Sequence, residues 1–292
     1  TPNPKPQTPN PKPQTPIQMG STGSSVQPPL SPQLTALAAQ HGLTLGQSRD
    51  HPVLGGIIEC SLDRPGKNAK KCVILKRDIL SAEEAQRTQA YLVSQESQAH
   101  TPFPRVYLHL LQQPSPTSPH WTLYQAMEQP GIDIHDLIQA GLRNANLPSE
   151  SDVIRILLGT ARALAELRGD GESHGNIQKH TICQYGKHWR PFHPLDLANP
   201  STQDDILSLG LTALEVCTLT PEASFPHSPS QQLIRSKMQS IAESYSKGLV
   251  SLIARMISPD PTDRIQPANL VFSLQKLKDS SVRVPSPQPL PA

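Results

Sequence analysis

The stretch SHGNIQKHTIC, residues 173–183, gathers two imidazoles, two carboxamides and two hydroxyls within a few positions. His174 stands two residues before Asn176, and Gln178 and Thr181 follow at short intervals. The apolar Ile182 and Cys183 close the segment. A carboxamide accepts no proton at neutral pH and carries no charge, and a threonine offers a cation a single hydroxyl. The segment is therefore either an ordinary loop or the remains of a catalytic one, and its neighbours must decide. Two further groups have the right chemistry for phosphate or metal: Lys76, after the run CVIL, and Asp196, in LDLAN. Taken alone, each reads as a solvated charge. Cys60, Cys72, Cys183 and Cys217 include no C-x-x-C pair and no histidines at metal-ligand spacing. They read as free thiols of a reducing compartment.

The elements that must position these residues are visible in outline. Residues 1–14 repeat TPNPKPQ twice, and 17–32 are rich in Ser, Gly and Pro. Proline at that density joins neither helix nor sheet, so 1–32 reads as a disordered, extended tail or linker. Residues 281–292 read as a disordered tail too. The chain begins without Met and reads as a piece of something longer. Between the tails lies one domain, 33–280. Its first half holds strand-like runs: LTLG, LGGIIECSL and KKCVILKRD, the last two separated by the turn DRPGKN. A helix-forming segment, SAEEAQRTQAYLVSQE, follows, then two more strands in FPRVYLHLLQQ and HWTLYQAME. The second half is helical. SESDVIRILLGTARALAEL and GLVSLIARMI carry one-sided apolar patterns, whereas DDILSLGLTALEVC is apolar almost all round and predicts an interior helix. A strand-rich start and a helical end make an α+β chain with two lobes.

Strands, a helix, two more strands and a helical half are the layout of protein kinases, and five segments resemble that family in order over roughly 41–278. CVILKR is similar to the third-strand V-A-I-K, with Lys76 as the lysine. TLYQAMEQPGIDIHDLI resembles the hinge, with Met127 as gatekeeper and Glu128 beginning the linker. HGNIQKHTIC aligns without gaps to H-R-D-L-x-x-x-N and its two following apolar positions. DDILSLGLTALEV resembles the buried central helix, with Asp205, Ser208 and Gly210 in place. LIARMISPDPTDRI resembles the late helix and its D-P-x-x-R turn, with Arg264 as the arginine. The resemblance implies a small β-rich lobe at about 41–128 and a mostly helical lobe at about 131–280.

It also implies a dead site. Phosphoryl transfer needs an aspartate to orient the attacking hydroxyl and ligands for magnesium. The catalytic aspartate's place holds Asn176, the loop lysine's Gln178, the metal-binding asparagine's Thr181 and the loop arginine's Gly175. Against the glycine-rich loop, Asp50 and Pro52 take the first two glycine positions, Gly55 the third and Ile57 the valine. Proline lacks the N–H that phosphates need, and aspartate repels them. The glutamate that should pair with Lys76 falls near Tyr91 or Leu92, with Glu83, Glu84 and Glu96 out of phase. The metal-binding aspartate of D-F-G matches Asp196 in one register and Pro194 in another. Only LANPSTQD separates Asp196 from Asp205, which leaves a shortened activation segment and no A-P-E glutamate for Arg264.

The expectation is a pseudokinase acting as a protein-binding, scaffolding or regulatory module. Lys76, Gly55, Ile57, Met127, Glu128 and Asp196 would form a vestigial nucleotide site with weak or absent ATP and magnesium binding, and no metal site. Its partners would be other proteins, among them an active kinase or a proline-reading domain. An unconventional, weakly active ATP-dependent serine/threonine kinase and an unrelated α+β interaction domain are the alternatives. A net charge of +2 argues against a nucleic-acid surface. There is no apolar run of spanning length and no charged-then-apolar leader, so a cytoplasmic location without a membrane span is expected.

Overall fold

The computed structural model describes residues 32–51, 55–64, 67–79, 81–96, 102–113, 120–192, 202–220 and 229–281. The proline-rich repeat, Pro52, Pro194, Asp196 and the segment LANPS lie outside them, as does nearly all of the C-terminal tail. The described chain is α+β, an antiparallel sheet followed by helices.

The sheet is built from β1 (Leu43–His51), β2 (Gly55–Arg64), β3 (Lys67–Ile79), β4 (Val106–Gln112) and β5 (Trp121–Glu128), in the order β1-β2-β3-β5-β4. Helix α2 (Ala82–Glu96) connects β3 to β4. A helix absent from the sequence reading, α1 (Pro32–Gln40), precedes the sheet. Proline suits its first turn, where no N–H is needed. One turn apart, Leu34 and Ala38 bury themselves against the sheet.

Side chains alternate across a strand, and that alternation sorts the sheet residues into two apolar clusters. Ile58, Cys60, Cys72, Ile74, Tyr124 and Ala126 pack under α1. Ile57, Val73, Leu75 and Met127 face the helical half, where Cys183, Tyr185 and Phe192 meet them. The sheet is thus covered on both faces, which is why its strands read as near-continuous apolar runs.

The helical half contains α3 (Ile134–Asn144), α4 (Glu150–Gly169), α5 (Thr202–Thr218), α6 (Gln231–Ser244), α7 (Lys247–Met256) and α8 (Pro267–Ser281). A hairpin of β6 (Ile182–Tyr185) and β7 (His188–Pro191) lies between α4 and α5. Asp133, Ser149, Ser230 and Ser246 cap α3, α4, α6 and α7, each accepting from a backbone N–H three residues on. The interior helix expected at 205–217 is α5. Asp205, Ile206, Leu209, Gly210, Thr212, Ala213, Leu214, Val216 and Cys217 are all buried. It touches α3, α4, α6 and α7. The close approach to α7 rests on Gly210, where an added Cβ would lie 2.6 Å from Ile257 Cγ2 and 2.8 Å from Met256 Cβ.

Candidate functional site

The loop 173–181 runs from the end of α4 to β6, and α5 holds it. Asp205, in the first turn of α5, accepts from two consecutive backbone N–H groups: His174 N at 2.7 Å and Gly175 N at 2.9 Å, one on each oxygen. Gly175 has φ +72°, in the left-handed region that glycine enters without strain. Burial pushes the Asp205 carboxyl up to about 6, against the pull of the two N–H donors. The His174 ring is fully buried, with Nε2 2.7 Å from Phe192 O and Nδ1 accepting from Asn176 N at 3.3 Å. One imidazole therefore joins the loop to the end of β7.

The three polar side chains that the loop offers to chemistry are occupied within the loop, two with each other and the third with its backbone. Gln178 Nε2 donates to Asn176 Oδ1 at 2.5 Å. The Thr181 hydroxyl is buried, lies 2.8 Å from Asn176 O and 3.0 Å from Gln178 O, and accepts from Gln178 N at 3.0 Å. A hydroxyl engaged on both sides in a closed turn is a poor ligand for a cation.

Further contacts anchor the loop that the sequence reading did not single out. Lys179 Nζ lies 3.3 Å from Glu215 Oε2 of α5, both side chains being largely buried. His180 Nδ1 lies 3.1 Å from Asp133 Oδ2, while Asp133 Oδ1 caps α3 by accepting from Asp136 N at 2.7 Å. Burial opposes the Asp133 charge, but these hydrogen bonds and the neighbouring imidazoles outweigh it and hold the carboxyl below its usual range. The backbone joins in, with Ile134 N donating to Lys179 O at 3.0 Å. The D-x-x-D spacing of Asp133 and Asp136 was a legible helix-start signal; Lys179 and His180 carried none.

Of the residues expected around a vestigial nucleotide, the structure brings together Ile57 and Met127. Both are buried in the cluster with Val73, Leu75, Cys183, Tyr185 and Phe192. This apolar layer joins the sheet to the β6–β7 hairpin. Lys76 is exposed and lies on the other face: Leu75 points to that layer, Ile74 to α1, and Lys76 alternates with Leu75. It stands over Gly56, whose added Cβ would lie 3.8 Å from Lys76 Cβ, and opposite Tyr124. Lys76 and Asn176 therefore do not converge. Gly55 closes the β1–β2 hairpin opposite His51, and Asp50 pairs with Gly56. In α2, Glu83 is bound to Arg87 on the surface, while Ala85 and Thr88 turn inward.

The linker after β5 has little left to offer a ligand. Glu128 N donates to Arg105 O at 2.9 Å, Pro130 has no N–H, and Gly131 N donates to Gln184 O at 2.7 Å. The Glu128 carboxylate lies 3.6 Å from Arg190 Nη1 on β7. Arg264 directs Nε to Ser258 O at 2.9 Å and Nη1 toward Asp204 Oδ1 at 3.6 Å, so Asp204 supplies a carboxylate where an A-P-E glutamate was expected to be missing. Among the described residues no group of three or more His, Cys, Asp or Glu is placed to hold a metal, and no helix is long and apolar enough to cross a membrane. No protein-family model matches the chain, and no curated protein sequence matches it significantly.

Proposed function

We propose that this chain is a protein-kinase-like domain that lacks phosphoryl transfer and serves as a protein-binding, scaffolding or regulatory module. The observation that carries the reading is the division of labour in the loop 174–181. Its architectural bonds are intact, from Asp205 to the backbone at His174 and Gly175 and from His174 to Phe192. Its chemical positions, Asn176, Gln178 and Thr181, are spent within the loop. The sheet order β1-β2-β3-β5-β4, with α2 between β3 and β4 and helices beyond, supports the same two-lobed kinase-like layout. The apolar layer around Met127, the committed N–H groups of Glu128 and Gly131 and the missing N–H of Pro130 support weak or absent nucleotide binding. The partners under this reading are other proteins, an active kinase or a proline-reading domain among them.

Thermal unfolding with ATP, with and without magnesium or manganese, tests it. Tight binding would add about 2.7 kcal/mol of stability at one hundred times Kd; no metal-dependent shift is expected. Phosphate transfer to generic protein substrates is expected to be absent, and Asn176→Asp alone should not restore it, because Gln178 and Thr181 are unchanged. Robust transfer by the wild-type chain, or micromolar magnesium-dependent ATP binding in calorimetry, would overturn the proposal in favour of an active kinase.

A further inference from the structure

We propose that Cys60 and Cys72 form a reversible disulfide between β2 and β3, a thiol–disulfide exchange site that reacts with a small-molecule disulfide. The two residues stand directly opposite each other in the antiparallel ladder. Opposed residues in such a pair have Cα atoms about 4.5–5.5 Å apart, inside the span that a disulfide bridges without backbone movement. Their sulfurs are already 2.7 Å apart, both thiols being free and buried. Closing to a bond of about 2.05 Å requires a side-chain adjustment well under ~1 Å. The other two cysteines have no such geometry: Cys183 lies on β6 in the layer around Met127, and Cys217 lies on α5 in the helical core.

The pair is also electrostatically unequal. The hydrogen bond between the two sulfurs, in which either can donate, holds the Cys72 thiol below its usual range against the opposing effect of burial, and the nearby Lys70 charge lowers it further; Cys60 is raised. A lowered thiol is the better nucleophile at neutral pH. Both sulfurs share an apolar cluster with Leu34 and Ala38 of α1. That nine-residue helix is too short to hold itself together and depends on its packing, so access needs only local opening there.

With oxidised glutathione as the oxidant, the electrons balance in two exchanges. The Cys72 thiolate attacks one sulfur of glutathione disulfide, forming a mixed disulfide and expelling a glutathione thiolate. Cys60 gives up its proton and attacks the Cys72 sulfur, the mixed S–S bond breaks, and the second glutathione thiolate leaves. The protein thiols are oxidised, one glutathione disulfide is reduced to two glutathione thiols, and the two protein protons end on them. The bridge would staple the hairpin that carries Ile57 and Lys76. It does not depend on the kinase-like reading.

The test uses the full, reduced chain, equilibrated in native buffer with oxidised glutathione, acid-quenched, alkylated and digested without reductant. The expected product links the Cys60 and Cys72 peptides, with half of the chain's thiols lost and fully recovered by dithiothreitol. A Cys60→Ala/Cys72→Ala double variant is expected to lose none. Persistence of all thiols, glutathione adducts without a cross-link, or a cross-link involving Cys183 or Cys217 would overturn the proposal.

Discussion

Asp205 shows how one carboxylate fixes a loop. Removing it leaves the N–H groups of His174 and Gly175 without their partner, so Asp205→Ala should cost about 1–3 kcal/mol in denaturant unfolding. Asn176→Ala should stay within about 0.5 kcal/mol, because Asn176 is half-buried and its side-chain partner, Gln178, can turn to water. Equal losses at both would contradict the role given to α5. The same carboxyl makes stability depend on pH. Its folded value of about 6 lies above its ordinary one, so the native state takes up a proton before the unfolded chain does. Its contribution is full below about pH 4 and is lost as pH rises through 6. Wild-type stability should therefore fall between these values, by at most about 1.4 kcal/mol per pH unit. Comparison with Asp205→Asn, which lacks this slope, isolates the effect. Lys179 gives a third residue-scale test. Replacing it with Ala removes the 3.3 Å ion pair to the largely buried Glu215 and should destabilise the fold in denaturant unfolding, whereas Lys179→Met with Glu215→Leu should come closer to neutral.

At the scale of elements, α4 and β7 meet at Gly159. A Cβ there would lie 2.0 Å from the backbone oxygen of Trp189, which no side-chain rotation relieves. Gly159→Ala should cost about 1–3 kcal/mol by overpacking. Gly169, the last residue of the same helix, has nothing within 4 Å of its missing Cβ, and Gly169→Ala should be neutral or stabilising by up to about 1 kcal/mol. A melting-temperature comparison of the two variants separates packing from propensity. α4, α5 and α7 were legible because their buried positions recur at helical spacing or surround the helix. α1 was not, since PQLTALAAQ offers few large apolar residues and adjoins a proline-rich tail. β6 and β7 span four residues each, too few for alternation to show.

For the whole molecule, the layer around Met127 joins the sheet to the helical half. Met127→Ala removes a fully buried side chain from that junction and should cost about 2–5 kcal/mol in denaturant unfolding. The vacated volume is expected to bring no magnesium-dependent ATP binding in calorimetry, because the N–H groups of Glu128 and Gly131 stay committed and Pro130 has none. The amino-acid sequence by itself determined the order of the five sheet strands and of α2, α4, α5 and α7, the interior position of α5, and the residue types in the loop, because periodicity and side-chain chemistry are local properties. It left undecided which way each polar group turns. Lys76 follows four apolar residues, and only pairing with β2 and β5 and the cover of α1 decide that it faces away from Met127. Arg264 finds Asp204 across 60 residues, and Cys60 finds Cys72 only when β2 and β3 align. A strand's two faces become different only when something packs on each of them, and that difference exists in the folded chain alone.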